Sequence, residues 1–327
     1  MIGDTATVDR AAELGHVLIL AGGLSPEREV SLRSGDRIRD ALSEAGVDAG
    51  AADADATLIP LLTSDPPTAV FPAIHGKGGE DGAIREVLGL LEVPYVGATA
   101  QACRLAFDKP VAKAVVAAAG LATPASVTLP KETFHDLGAT AVLERIVAEL
   151  GLPLFVKPAR GGSALGAGLV AVADDLPAAM ISCFAYGDTA LVERFVSGTE
   201  VAVSVIDLGD GPKALPPVEI VPSGSWFDYA ARYTAGRTEY YTPARLTGPA
   251  ARAVAEAAVT AHTALGLRDL SRSDLIVTPA GEVFFLEANV APGMTDTSTL
   301  PMALEAAGLD FGGLCRDLLL RAAHRGS

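Results

Sequence analysis

Positive charge is in short supply in this chain. Its 327 residues carry 25 Lys and Arg against 40 Asp and Glu, a formal net charge of −15. That balance speaks against a broad basic face for nucleic acid. It does not speak against a small anionic ligand, because a few local cations can hold one inside a negative protein. Cysteine is scarce too. Cys103, Cys183 and Cys315 are far apart, odd in number and without metal-ligand spacing, so they read as free thiols in a reducing compartment. No apolar run reaches membrane-spanning length, and residues 1–15 (MIGDTATVDRAAELG) have no apolar signal core. The expectation is a cytoplasmic protein with no membrane and no nucleic-acid partner. Hydrophobic residues make up 50% of the chain, enough for a large core. The length suits two or three units at roughly 100–150 residues each.

The chain opens with glycine-punctuated units. HVLILAGG (16–23) is a short apolar run ending in glycines, and a helix follows with Val30, Ile38, Leu42 and Ala45 near one face and Gly46 as its stop. Strand, glycine turn and helix are typical of a doubly wound α/β domain. AVFPAIHG (69–76) is a second strand, residues 78–93 a turn and helix, and PYVG (94–97) a short closing strand. From residue 98 the texture changes. Residues 101–120 are helical, with Pro110 an interruption or a new first turn. LPLFVKPARGGSALGAGLVAV (152–172) reads as a strand–loop–strand hairpin with a glycine-rich tip. ALVERFVSGTEVAVSVID (190–207) gives two strands around Ser197-Gly198. Residues 209–248 form a long irregular stretch, a candidate lid with Gly224 and Gly236. A helix over 249–267, an antiparallel pair around Pro279-Ala280-Gly281 and a helical end over 301–324 complete the pass.

The antiparallel pair carries the strongest chemistry. Side chains alternate along a strand, so Glu287 and Asn289 share a face, as do Arg272 and Asp274 on the neighbouring strand. Flanking Leu275, Ile276, Phe284, Phe285 and Leu286 imply a largely buried sheet, where isolated charges are costly. Two carboxylates and an amide supply the oxygen ligands of a hard cation such as Mg²⁺, and a polyphosphate would balance the rest. Lys157 ends an apolar strand before a glycine-rich loop whose N–H groups can cover phosphates. Taken singly, each feature has a bland explanation: a polar turn, a surface lysine, an exposed strand edge.

Together the features form a pattern. VKPARGGSALG, LVERFVSGTE and DLIV…FFLEANVAPGMT, in that order, resemble the ATP-grasp ligases. GGLSPEREVSLRSG, HGKGGEDGAIREVLGLLEVPYVG, AFDKPVAK, FDYAARY…TEYYTPA and EANVAPGMTDTSTLP resemble the D-alanine–D-alanine ligase family within them, over residues 16–320. The resemblance implies an α/β (α+β) ATP-grasp fold. It comprises an extension (1–15), an N-terminal Rossmann-like parallel-sheet domain (16–97), a central subdomain (98–192) and a C-terminal subdomain (193–327), the last two sandwiching ATP. It implies ATP-dependent joining of two D-alanine molecules through a D-alanyl phosphate, for peptidoglycan precursors, by a homodimer. Lys109, Lys157, Gly162 and Arg232 would meet the ATP phosphates, with the 161–168 loop closing over them. Glu193, Phe195, Val196 and Glu200 would take adenine and ribose. Asp274, Glu287 and Asn289 would ligate two Mg²⁺, or Mn²⁺ in their place. Arg272 and the Gly293 amide would stabilise the oxyanion. Glu29 would take the ammonium of the first D-alanine beside His75, and join Ser163 and Tyr233 in a hydrogen-bonded set. Ser298 would hold the carboxylate of the second D-alanine, with Thr299 bordering its pocket.

Three positions depart from the family pattern. Arg232 stands where Lys is usual, Ala164 replaces a second loop serine, and Thr299 replaces a common Leu. Thr299 keeps open a ligase with another acceptor, such as D-serine or D-lactate. A catalytically silent nucleotide-binding module is the alternative from another class.

Overall fold

The computed structural model describes residues 12–326, apart from 225, 228–230, 233 and 235. Most of the expected extension therefore lies outside the described residues. Its end is not loose, because Leu14 is fully buried in the core.

The first unit is a parallel sheet. β1 (His16–Ala21) is almost entirely apolar and sits at the centre, as a parallel strand covered on both faces should. The helix α1 (Arg28–Glu44) follows, and buries Ser31, Ser34, Gly35, Ile38 and Leu42. β2 (Asp48–Asp53) pairs with one edge of β1, from His16↔Asp48 to Ala21↔Asp53. α2 (Leu58–Ser64) leads to β3 (Val70–Pro72) on the other edge. α3 (Ala83–Leu90) comes next. The expected closing strand at 94–97 is a single bridge, Val70↔Tyr95, cut short by Pro94 and Gly97.

The expected helix over 101–120 is two helices, α4 (Ala100–Phe107) and α5 (Lys109–Ala118). Asp108 caps the second by accepting from the Val111 amide, so Pro110 is a new first turn rather than a kink. Both helices pack against the C-terminal sheet, where Ala102, Cys103, Ala112 and Val116 share a core with Val201, Leu275 and Phe285.

The central sheet is antiparallel. β4 (Ser126–Pro130), α6 (Lys131–Leu137) and α7 (Ala139–Leu150) occupy a stretch to which the sequence reading assigned no element. β5 (Leu154–Pro158) and β6 (Gly168–Val170) form the expected hairpin around the glycine-rich loop. α8 (Leu176–Phe184) covers the sheet, and β7 (Thr189–Arg194) completes the order β4-β7-β5-β6. The subdomain boundary expected at 192/193 thus falls inside β7.

β8 (Thr199–Ile206) starts five residues later but belongs to the other sheet. The segment between β7 and β8 therefore crosses from one sheet to the next, and this places Glu193 to Glu200 in the cleft between them. β9 (Lys213–Ala214), β10 (Val218–Pro222) and β11 (Thr238–Tyr241) follow, so three short strands interrupt the expected irregular stretch 209–248. The 223–237 connection, described in part, contributes Trp226, Phe227 and Arg232 to the cleft lining. α9 (Gly248–Ala264) packs on β12 (Leu270–Val277) and β13 (Val283–Asn289), the expected antiparallel pair. The chain ends in α10 (Thr299–Ala306) and α11 (Phe311–Arg325), separated at Gly308 and capped by Asp310.

One core joins the first and last units. Ile19, Ile38 and Leu42 pack with Leu300, Leu314, Leu318 and Leu319. Asp269, fully buried, adds a polar clamp: it accepts from Gly97 N at 2.7 Å and from Arg325 at 2.8 Å. The three cysteines are buried and free. Among the described residues no helix is long and apolar enough to cross a membrane.

Candidate active site

Strand register gathers the acidic face. In the β12–β13 ladder Asp274 lies opposite Glu287, and Arg272 opposite Asn289. All four side chains line one cavity. Arg272 holds Asp274 with two hydrogen bonds, Nε to Oδ1 at 2.6 Å and Nη2 to Oδ2 at 2.9 Å. Burial works against charge on Arg272, but Asp274, Glu287 and Glu80 outweigh it and keep the guanidinium protonated. Its Nη1 makes no hydrogen bond to a described residue. Burial pushes Glu287 up, yet Lys109, Lys157, Arg232 and Arg272 prevail and hold it down at about 2. It is therefore a carboxylate at any working pH. Asn289 Oδ1 accepts from Ala291 N at 2.8 Å, leaving its second lone pair available. Among the described residues no three His, Cys, Asp or Glu form a complete metal cage. The set fits an oxygen-seeking ion that shares its ligands with substrate phosphates.

The cationic residues converge on this face from other elements. Lys109, at the start of α5, lies 3.4 Å from Glu287 Oε2 and donates to Gly161 O at 2.6 Å. Lys157, at the end of β5, lies 2.8 Å from Glu193 Oε2. A cleft of about 880 Å³ runs from these lysines between the two antiparallel sheets. Phe155, Phe195, Val196, Ile276 and Leu286 give it an apolar wall, and Gly162, Glu193 and Glu200 also line it. Burial and the nearby Asp274 and Glu287 push Glu200 up to about 7, with Arg232 pulling the other way. Trp226 also lines it, its ring edge-on to Phe155 with centroids 5.1 Å apart. Arg232 stacks over Phe227 at 4.3 Å, and its buried Nε has no partner among the described residues. Ala164 lines the cleft with no hydroxyl to offer.

A second chamber opens from the charged end of the cleft. The two share Lys109, Gly162, Arg232, Asp274 and Glu287. Glu27, His75, Ser163, Gly293, Ser298 and Thr299 line the chamber. Here one expectation is corrected. Glu29 is exposed on the outer side of α1 and lines neither cavity, whereas Glu27, just before the helix, is 4% exposed and does. Its carboxylate is wedged between two glycines. A Cβ on Gly76 would fall 2.4 Å from Glu27 Oε2, and one on Gly162 would fall 2.7 Å from Oε1. Glu80 faces the same chamber and accepts from Gly76 N at 2.9 Å. Burial and the neighbouring Glu27 push its carboxyl up to about 7 against that bond.

His75 is a strut. Nδ1–H donates to Ala291 O at 3.0 Å, which fixes the tautomer, and Nε2 accepts from Ser34 Oγ at 3.0 Å. Burial pushes its pKa down to about 4, so the ring is neutral. Ser34 Oγ in turn accepts from Met294 N at 3.2 Å, and Arg37 donates to Met294 O at 3.0 Å. The Pro292-Gly293 turn is thus held by three residues of the first unit. The sequence reading missed Ser34 and Arg37, which looked like the polar side of a surface helix. On the other side of the turn, Ser298 Oγ packs against Gly293 and contacts Thr295 Oγ1 at 2.8 Å. Tyr233 lies outside the described residues, so the set expected with Ser163 is not traced.

The sequence reading also passed over Lys113, which stands one turn beyond Lys109. It is 4% exposed and ion-paired with Glu193 Oε1, the oxygen that Lys157 does not contact.

Known proteins resemble this chain over most of its length. A family model described as "D-ala D-ala ligase C-terminus" matches residues 115–320. The D-alanine–D-alanine ligase of Anaeromyxobacter sp. (strain K) is 40% identical over 308 residues, covering 94% of this chain and 97% of that one. That of Pelotomaculum thermopropionicum is 38% identical, covering 92% and 94%. Among solved structures, the D-Ala:D-Ser ligase of Enterococcus faecalis superposes with a TM-score of 0.81 at 30% identity, covering 94% of this chain and 99% of that one. The D-alanine–D-alanine ligase of Bacillus anthracis complexed with ATP gives 0.78 at 25% identity, covering 95% and 97%. This chain belongs to the D-alanine–D-alanine ligase family.

Proposed function

We propose that this protein joins two D-alanine molecules into D-alanyl-D-alanine at the expense of ATP, for peptidoglycan precursors. One observation carries the reading: a cleft with an apolar wall opens at its cationic end into a chamber holding Glu27, Arg272 and the Gly293 turn. ATP lies in the cleft with its base between the sheets and its phosphates at Lys109, Lys157 and Arg232. The first D-alanine lies in the chamber with its ammonium at Glu27.

A carboxylate resists acylation because its leaving group would be oxide. Attack of the first D-alanine carboxylate oxygen on the γ-phosphorus breaks the bond to ADP and forms an acyl phosphate, which has a good leaving group. That step needs in-line positioning and charge neutralisation rather than covalent help. Asp274, Glu287 and Asn289 would hold Mg²⁺, which supplies further neutralisation of phosphate charge when bound. The amine of the second D-alanine, near Ser298 and Thr299, then attacks the acyl carbon. Arg272 Nη1 and the Gly293 N–H meet the developing oxyanion. Phosphate departs with the bonding electron pair, and the new nitrogen loses its proton. The 161–168 loop and the 223–237 connection keep water from the acyl phosphate. A homodimer in the cytoplasm follows the family pattern.

The test is incubation with ATP, Mg²⁺ and D-alanine, with D-serine and D-lactate offered in competition, read by mass spectrometry. The expected result is D-alanyl-D-alanine as main product with an equal amount of ADP. A mixed product in excess would overturn the acceptor assignment and point to Thr299. Neither ADP nor dipeptide would overturn the ligase reading.

A further inference from the structure

Glu193 accepts two ammonium groups at once. It is 2% exposed, with Lys157 Nζ 2.8 Å from Oε2 and Lys113 Nζ bonded to Oε1. The two lysines are not equivalent. Lys157 lines the nucleotide cleft and, among the described residues, is ion-paired with Glu193 alone. Lys113 lies behind the cleft wall on α5. It spends its other two hydrogens on Pro124 O at 2.9 Å and Ser126 Oγ at 3.1 Å. An ammonium has three donors, so Lys113 is fully engaged and anchored, while Lys157 has donors to spare.

This difference matters when a triphosphate enters, and the inference rests on the nucleotide reading above. Lys157 is drawn to the phosphates, and Glu193 would then be a buried carboxylate that has lost a counter-charge. Such a group is strongly unfavourable unless another cation stays beside it. We propose that Lys113 is a positioning residue for ATP binding, the resident counter-charge that holds Glu193 at the cleft wall while Lys157 turns to the phosphates. Burial pushes the Lys113 ammonium down and Glu193 pulls it back up, so each group depends on the other.

The test is a double-mutant cycle on the full chain, measuring the ATP dissociation constant by calorimetry and steady-state kinetics alongside. Lys113→Met is expected to weaken ATP binding by about tenfold or more, raising KM for ATP while KM for D-alanine stays within about twofold. Adding Glu193→Gln to Lys113→Met is expected to restore part of the loss, because a neutral amide needs no counter-charge. Wild-type affinity in Lys113→Met, or losses that simply multiply in the double variant, would overturn the proposal. If Lys113→Met fails to fold, Lys113→Gln takes its place with the same expectation. Failure of both to fold, with no rescue by Glu193→Gln, would make Lys113 a structural residue and overturn it equally. Absence of ATP binding by the wild type would instead overturn the nucleotide reading.

Discussion

Glu27→Gln is expected to cut dipeptide synthesis by at least about a hundredfold, whereas Glu29→Gln leaves it within about twofold. The two glutamates are two residues apart at the start of one helix, yet their surroundings are opposite. Glu29 is exposed to solvent, where one charge matters little. Glu27 is pressed between Gly76 and Gly162 and faces the chamber. The neighbouring carboxyl of that corner, Glu80, is pushed up to about 7 by burial and by Glu27. Glu27 is the carboxylate to which the proposed function assigns the incoming ammonium. The amide of the Glu27→Gln side chain keeps the volume but offers a neutral oxygen and a donor that repels the ligand. Kinetics with D-alanine as the varied substrate would read the loss as a raised KM for the donor position. Equal activity of wild type and Glu27→Gln would refute the assignment, and a large loss in Glu29→Gln would reverse it.

Glu287→Gln is expected to lower ATP turnover by about a thousandfold or more while the chain stays folded. Its carboxylate is surrounded by Lys109, Lys157, Arg232 and Arg272, which hold it ionised down to about pH 2. Neutralising it removes one of two carboxylates on the proposed metal face but adds to the positive field that attracts triphosphate. Binding and chemistry should therefore separate. ATP affinity measured without divalent ions should be no weaker in the variant, and turnover with Mg²⁺ should be nearly abolished. Circular dichroism and a cooperative thermal transition check the fold. Full turnover in Glu287→Gln would sink the metal assignment, and loss of metal-free ATP binding would mean the substitution had disturbed the whole cleft.

Much of this site was legible because it obeys a local period. The alternation in SRSDLIV and VFFLEAN puts Arg272 with Asp274, and Glu287 with Asn289, on one face of each strand, and the ladder register pairs them directly. Glu27 was not legible. The helical period says that residues 27 and 29 point apart but not which of them faces inward, and that is decided by glycines at 76 and 162. Lys113 was hidden for a related reason: one turn after Lys109 it looked like the solvated side of an alanine-rich helix, and its partner is 80 residues away. β2 was missed because DAGAAD has no apolar alternation. It exists by pairing with β1, and its small and acidic residues suit an exposed sheet edge. The breaks at Asp108 and Asp310 did leave a signal, since each aspartate caps the helix that follows. Runs of alanine and leucine on both sides masked it.

The most direct measurement follows oxygen. D-Alanine labelled with ¹⁸O in both carboxylate positions is supplied with unlabelled ATP and Mg²⁺, and the released inorganic phosphate is weighed by mass spectrometry. If the donor carboxylate attacks the γ-phosphorus and the acceptor amine then attacks the acyl carbon, each phosphate carries a single ¹⁸O for every dipeptide formed. Phosphate without label, alongside labelled dipeptide, would contradict an acyl phosphate and with it the roles given to Arg272, Gly293 and the phosphate-binding lysines.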